Sequence, residues 1–151
     1  MNIFFDTEFI EDGKTIDLVS IGLVREDGKE LYCISEACDA AKASEWVRNH
    51  VLSELETDRA RHSRRAIAQA VRDFCGEAPE FWAYYGDYDW VALCQLFGSM
   101  MDLPKGWPAF AYDLRQWLNH KGLWTVRQPD ASPHHALLDA RWIMDTWRHH
   151  Q

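Results

Sequence analysis

The chain opens on an unbroken apolar run, Ile3-Phe4-Phe5, that ends at Asp6. A run without polar alternation suits a strand covered on both faces, so it predicts a central strand, with Asp12-Gly13 turning the chain behind it. Leu18 to Val24 and Leu31 to Ile34 flank Glu26-Asp27-Gly28-Lys29, and Asp-Gly between two apolar runs is a strong hairpin signal. The first third therefore reads as antiparallel sheet. From about Ala41 the period lengthens: behind Ser63, a candidate N-cap, Ile67, Ala70, Val71 and Phe74 recur at helical spacing, and Gly76 is placed to end that helix. Phe81 to Tyr85 predicts a short strand, and Trp90, Leu93, Cys94 and Phe97 predict a helix with Asp89 near its start. A last strand is expected over Ala109 to Tyr112, then a helix capped by Asp113, and a closing helix from about Ala136 to Arg148. Sheet first, then alternating helix and strand, specifies an α/β layout with a mixed sheet.

Composition narrows the class. At 151 residues the chain has room for one domain spanning residues 1–151, and such a domain buries roughly 68–70% of its unfolded surface. A hydrophobic fraction of 47% with 8 Trp, 7 Phe and 5 Tyr excludes a disordered chain, and no apolar run approaches the ~20 residues of a membrane span. No membrane partner is expected. The start, Met1 to Asp6, lacks the basic region of a signal peptide, so a cytoplasmic location is expected. Cys33, Cys38, Cys75 and Cys94 form neither a CxxC pair nor a disulfide scaffold and are expected to be reduced and mostly buried. The formal charge of −8 repels polyanions, so a nucleic-acid role requires metal ions or a local basic patch.

Asp6 and Glu8 follow the first apolar run and share one strand face with Phe4. Two anions side by side at the end of a buried strand repel and lose solvation, a cost met by a cation or by a proton. An isolated DxE is still more often a strand end that has reached solvent. Asp139 adds weight, because on the closing helix it borders the apolar set Ala136, Ala140, Ile143 and Trp147, and neither Arg141 nor Arg148 stands at an i+3 or i+4 position from it. Asp89 at a helix start is explained by capping as readily as by function. His134 and His135 precede Asp139 by five and four positions. Helix geometry favours His135, which would share a face with Asp139.

Together these residues stand in the order DxE, then D, then HxxxxD, and here the sequence resembles the DEDDh family of 3′-5′ exonucleases over its whole length. Asp6-Thr7-Glu8 on the first strand, Tyr88-Asp89 at a helix start and His134-His135-Ala136-Leu137-Leu138-Asp139-Ala140 carry the likeness. Asp6 to Gly13, Leu18 to Gly22 and Trp90 to Gly98 are similar to the ribonuclease AS-like branch of bacterial and phage poly(A)-preferring exoribonucleases. The sequence departs from many members in carrying Phe9-Ile10 where a glycine often follows the acids.

The resemblance implies an RNase H-like fold with a five-stranded mixed sheet flanked by helices. It implies two divalent cations, Mg²⁺ or Mn²⁺, held by Asp6, Glu8, Asp89 and Asp139, with His134 as general base. That choice departs from the helix-face argument for His135, and Pro133 supports it by placing the histidine on a loop before the helix. The implied activity is removal of mononucleotides from single-stranded RNA 3′ ends, with Thr7 and Phe9 beside the terminal nucleotide and a homodimer as assembly. Two alternatives stand beside it: a DNA-directed or dual exonuclease, and a catalytically silent nucleic-acid-binding module. Arg59, Arg61, Arg64 and Arg65 form the one dense basic cluster and read best as a solvated face. Trp46, Trp107 and Trp124 carry stacking capacity, and the sequence assigns none of them a role.

Overall fold

The computed structural model describes residues 1–130 and 133–151. Strand β1 (Asn2–Glu11) pairs antiparallel with β2 (Ile16–Arg25), which pairs antiparallel with β3 (Glu30–Ser35). On the other side β1 pairs in parallel with β5 (Glu80–Ala83), and β5 with β6 (Tyr112–Asp113). A two-residue strand β4 (Arg61–His62) adds to β3 in parallel, giving a mixed sheet in the order β4-β3-β2-β1-β5-β6. The sheet thus has six strands and not five. The added member is the exposed pair Arg61–His62, whose pairing is made by backbone alone and leaves no hydrophobic pattern to read.

The first strand is central, and both of its faces are covered. One face carries Ile3 and Phe5 with Phe81 and Ala83 against α2 (Arg64–Cys75) and α3 (Asp87–Phe97). The opposite face carries Phe4, Val24 and Ile34 against α4 (Leu114–His120) and α5 (Ala136–His149). A short α1 (Glu45–His50) follows β3 in the chain. Ser63 caps α2 by accepting from the Ala66 amide, and Gly76 ends it in the left-handed region. Asp113 caps α4 through the Gln116 amide and also accepts from the Gly86 amide at the start of α3, tying two helix starts together. Cys33, Cys75 and Cys94 are buried and all four cysteines are free. No helix among the described residues is long and apolar enough to cross a membrane.

Two details of the sheet open the site. First, β5 pairs with β1 only over Asn2–Phe4, so among the described residues the rest of β1 runs on without a strand partner on that side. A cleft forms beyond the carboxyl end of β5, the usual place for ligands in open α/β sheets. Second, Gly22 in β2 lies opposite Asp6, and the start of α5 rests directly on it: a Cβ there would sit 2.3 Å from the Leu137 amide nitrogen. Only glycine lets the helix come this close to the strand that carries Asp6.

Candidate active site

The register of β1 sends Asp6 and Glu8 to the face covered by α5, and the close seating of α5 on Gly22 brings Asp139 down from the helix to meet them. One carboxylate oxygen from each of Asp6, Glu8 and Asp139 lies within 4.8 Å of the others. Glu8 and Asp139 are 9% and 7% exposed, and Asp6 is partly buried. A register shift between Glu8 and Phe9 follows at once; bulges of this kind re-aim side chains next to sites. Arg141 and Arg148 are engaged elsewhere, Arg141 with both carboxylate oxygens of Glu30 and Arg148 with the Glu26 carbonyl. The Gln128 side-chain amide donates to Asp139.

Asp89 reaches the same region from α3, on the opposite face of the sheet. Its Oδ1 accepts from the Thr7 amide at 2.8 Å and the Thr7 hydroxyl at 2.6 Å. Thr7, expected beside the terminal nucleotide, therefore has its buried hydroxyl turned to Asp89. Phe9 is half-buried and meets the exposed ring of Tyr88 edge-on at 5.8 Å between centroids.

The two histidines separate clearly. His134 is exposed and lines, with Gln128, Pro129, Asp130 and Asp139, a cavity of about 300 Å³. Its ring meets Trp46 of α1 edge-on at 4.8 Å, and Trp46 in turn stacks on His50. His135 occupies the N-cap position of α5 and stacks on Tyr32 at 4.5 Å, with the Arg59 guanidinium on Tyr32 as well. Burial holds its imidazole below the ordinary pKa. Sequence reasoning missed Gln128, Trp46 and Gly22 as parts of this site. Gly22 left one signal, a glycine inside an apolar strand pattern.

All 151 residues match the family described as the 3′-5′ exoribonuclease Rv2179c-like domain. The chain belongs to that family. Two relatives from Mycobacterium tuberculosis, 3′-5′ exoribonuclease Rv2179c of strain ATCC 25618 / H37Rv and 3′-5′ exoribonuclease MT2234.1 of strain CDC 1551 / Oshkosh, are each 44% identical over 147 residues, covering 93% of this chain and 88% of theirs.

In this Rv2179c-like chain the acids pay an electrostatic penalty for their closeness. Asp6 is pushed well above the usual carboxylate range, first by desolvation and then by the charges of Asp89, Glu8 and Asp139. Glu8 is pushed up to about 8 by desolvation and by Asp139 and Asp89. Asp89 is raised to about 6 by burial, against the lowering effect of the two Thr7 hydrogen bonds. Among the described residues none of the ion pairs involves Asp6 or Glu8. Converging hard oxygen donors of this kind fit a divalent cation.

Proposed function

We propose that the protein is a metal-dependent 3′-5′ exoribonuclease of the DEDDh type on an RNase H-like fold, removing mononucleotides from single-stranded RNA 3′ ends. The observation that carries the reading is the convergence of Asp6, Glu8 and Asp139 within 4.8 Å in a chain matched along its whole length by an exoribonuclease family. Asp6, Glu8 and Asp139 would hold one divalent cation, and Asp6 with Asp89 would support a second. Such a pair supplies charge stabilisation for the attacking and leaving oxygens and an acidified water.

The protein's own residues do the rest. His134, on the loop before α5 and on the wall shared with Asp139, accepts the proton of the attacking water. Trp46 holds the His134 ring from one side, and Gln128 fixes the Asp139 carboxylate. Thr7 fixes Asp89 through two hydrogen bonds. Phe9 and Tyr88 offer an aromatic edge for the terminal nucleotide. The test is a time course on single-stranded RNA labelled at its 5′ end, with Mn²⁺ or Mg²⁺. Stepwise shortening from the 3′ end that stops with a chelator supports the proposal. RNA that is retained on the protein but never shortened would leave a binding module instead.

A further inference from the structure

A larger cavity, of about 510 Å³, adjoins the carboxylate centre, and it shares Gln128 and Asp130 with the cavity of His134 and Asp139. Gln128 is bonded to Asp139, so the two spaces meet at the carboxylate centre. We propose that this cavity is a subsite for the penultimate ribonucleotide, with its base against Trp124 and Tyr85 and its phosphate near Arg127. The inference rests on the exoribonuclease reading and extends it to the strand upstream of the cleaved bond.

Size and lining both point to a nucleotide. The volume falls within the roughly 300–1,000 Å³ of small-molecule sites. Trp124 is 63% exposed and Tyr85 67% exposed, apolar area that earns nothing in the free protein and that a base can cover from either face. Trp107, by contrast, packs on Phe81 and Phe97 and donates to the Gly76 carbonyl. Tyr85 also sits at φ 54°, in the left-handed region that bulky residues rarely adopt. Strain of this kind gathers where a side chain must be aimed.

Charge points the same way. Arg127 and Arg115 outnumber Asp130 on the wall, a positive balance within a chain of net charge −8. Arg115 is buried and donates to the carbonyls of Leu123 and Val126, so it fastens the segment that carries Trp124 and Arg127 to α4; its Nε has no partner among the described residues. Phe9 follows Glu8 on β1 and meets Tyr88, while the cavity reaches the centre through Gln128, which is bonded to Asp139. A strand whose last nucleotide meets Phe9 would therefore leave its penultimate nucleotide to Trp124.

The experiment pairs a protein change with a substrate change, using RNA hexamers with Mn²⁺ and an otherwise identical hexamer whose penultimate ribose is abasic. Wild-type KM is expected to rise about 5- to 150-fold on losing that base, the range for one stacked base. Trp124→Ala should raise KM on intact RNA by a similar factor, show no further rise on the abasic RNA, and recover largely as Trp124→Phe. Arg127→Ala should make KM less dependent on salt. Additive effects of the two changes, or a Trp124→Ala KM equal to wild type, would overturn the subsite while leaving the nuclease reading intact. A wild-type protein that never shortens RNA would overturn both.

Discussion

The seating of α5 on Gly22 makes a sharp test of how the site is built. In Gly22→Ala the new methyl carbon would lie 2.3 Å from the Leu137 nitrogen and 2.4 Å from the Ala136 carbonyl carbon and the Leu137 Cα. Carbon contacts settle at about 3.5–4.0 Å, so the helix start must lift by roughly an ångström. All three clashing atoms are backbone, and no side chain can swing aside to spare the helix. Asp139 is in the first turn of α5 and rides with it. Catalytic groups tolerate about 0.5 Å of misplacement, and an ångström costs on the order of a hundredfold in rate. Overpacking of this kind destabilises by about 1–3 kcal/mol, which lowers the melting temperature of a chain this long by roughly 2–12 °C. Gly28→Ala is the matched control: its φ of +86° strains any other residue, yet nothing lies within 4 Å of the added methyl. That variant should lose about 1–2 kcal/mol with turnover close to wild type. Melting curves read by circular dichroism, beside initial rates on 5′-labelled RNA, separate the two effects. Wild-type turnover in Gly22→Ala, or equal inactivity in Gly28→Ala, would refute the role given to the helix seating.

Other outcomes follow from the same geometry. Glu8 keeps its proton in the metal-free folded protein up to about 8, whereas the unfolded chain loses it near 4.3, so the native state binds more protons across that window and stability falls as pH rises through it. Melting temperatures in chelator should decline from pH 5 to 8.5, decline less steeply in Glu8→Gln, where the raised Asp6 and Asp89 remain, and recover with Mn²⁺; a rise over this range would contradict the assignment. The carboxylates that are held low, such as Asp12, Asp27 and Glu30, act below this window. His134→Ala should cut turnover by about 10²–10⁴ with the fold intact, while His135→Ala should lose chiefly the Tyr32 stack, about 0.5–1.5 kcal/mol of stability; the reverse ranking of rates would show that His135 is the base. Thr7→Val removes a buried bond to a carboxylate and should cost about 1.5–3 kcal/mol in chemical denaturation, and an unchanged midpoint would show that Asp89 has found another donor.

Much of this was visible in the chain before any coordinates. The Ile3-Phe4-Phe5 run marks the central strand because burial on both faces erases polar alternation, and Ser63, Gly76 and Asp113 mark helix ends because their side chains or backbones satisfy orphaned amides and carbonyls. The strand Arg61–His62 left no trace, since an exposed two-residue pairing draws on backbone hydrogen bonds and not on side-chain chemistry. In the site, period-two alternation already aimed Asp6 and Glu8 to one face. The distance across to Asp139 depends on the seating of α5 on Gly22, which is not a local property. Spacing alone does not choose between the histidines, since helix geometry favours His135 and the motif favours His134; that His135 stacks on Tyr32 is a tertiary contact with no trace in the spacing. Trp124 and Trp107 look alike as letters; one is exposed on a cavity wall and the other is bonded into the core.

On the proposed function, carboxylates from β1 and α5 are held together, against their own repulsion, to receive divalent cations. Calorimetric titration of Mn²⁺ into the metal-free protein, repeated in two buffers of different ionisation enthalpy between pH 6 and 9, tests it most directly. Binding should release protons, with the number released falling as pH rises past about 8, and should be lost in Asp139→Asn. Wild-type protein that takes up no Mn²⁺, or an Asp139→Asn variant that binds it equally well, would contradict it.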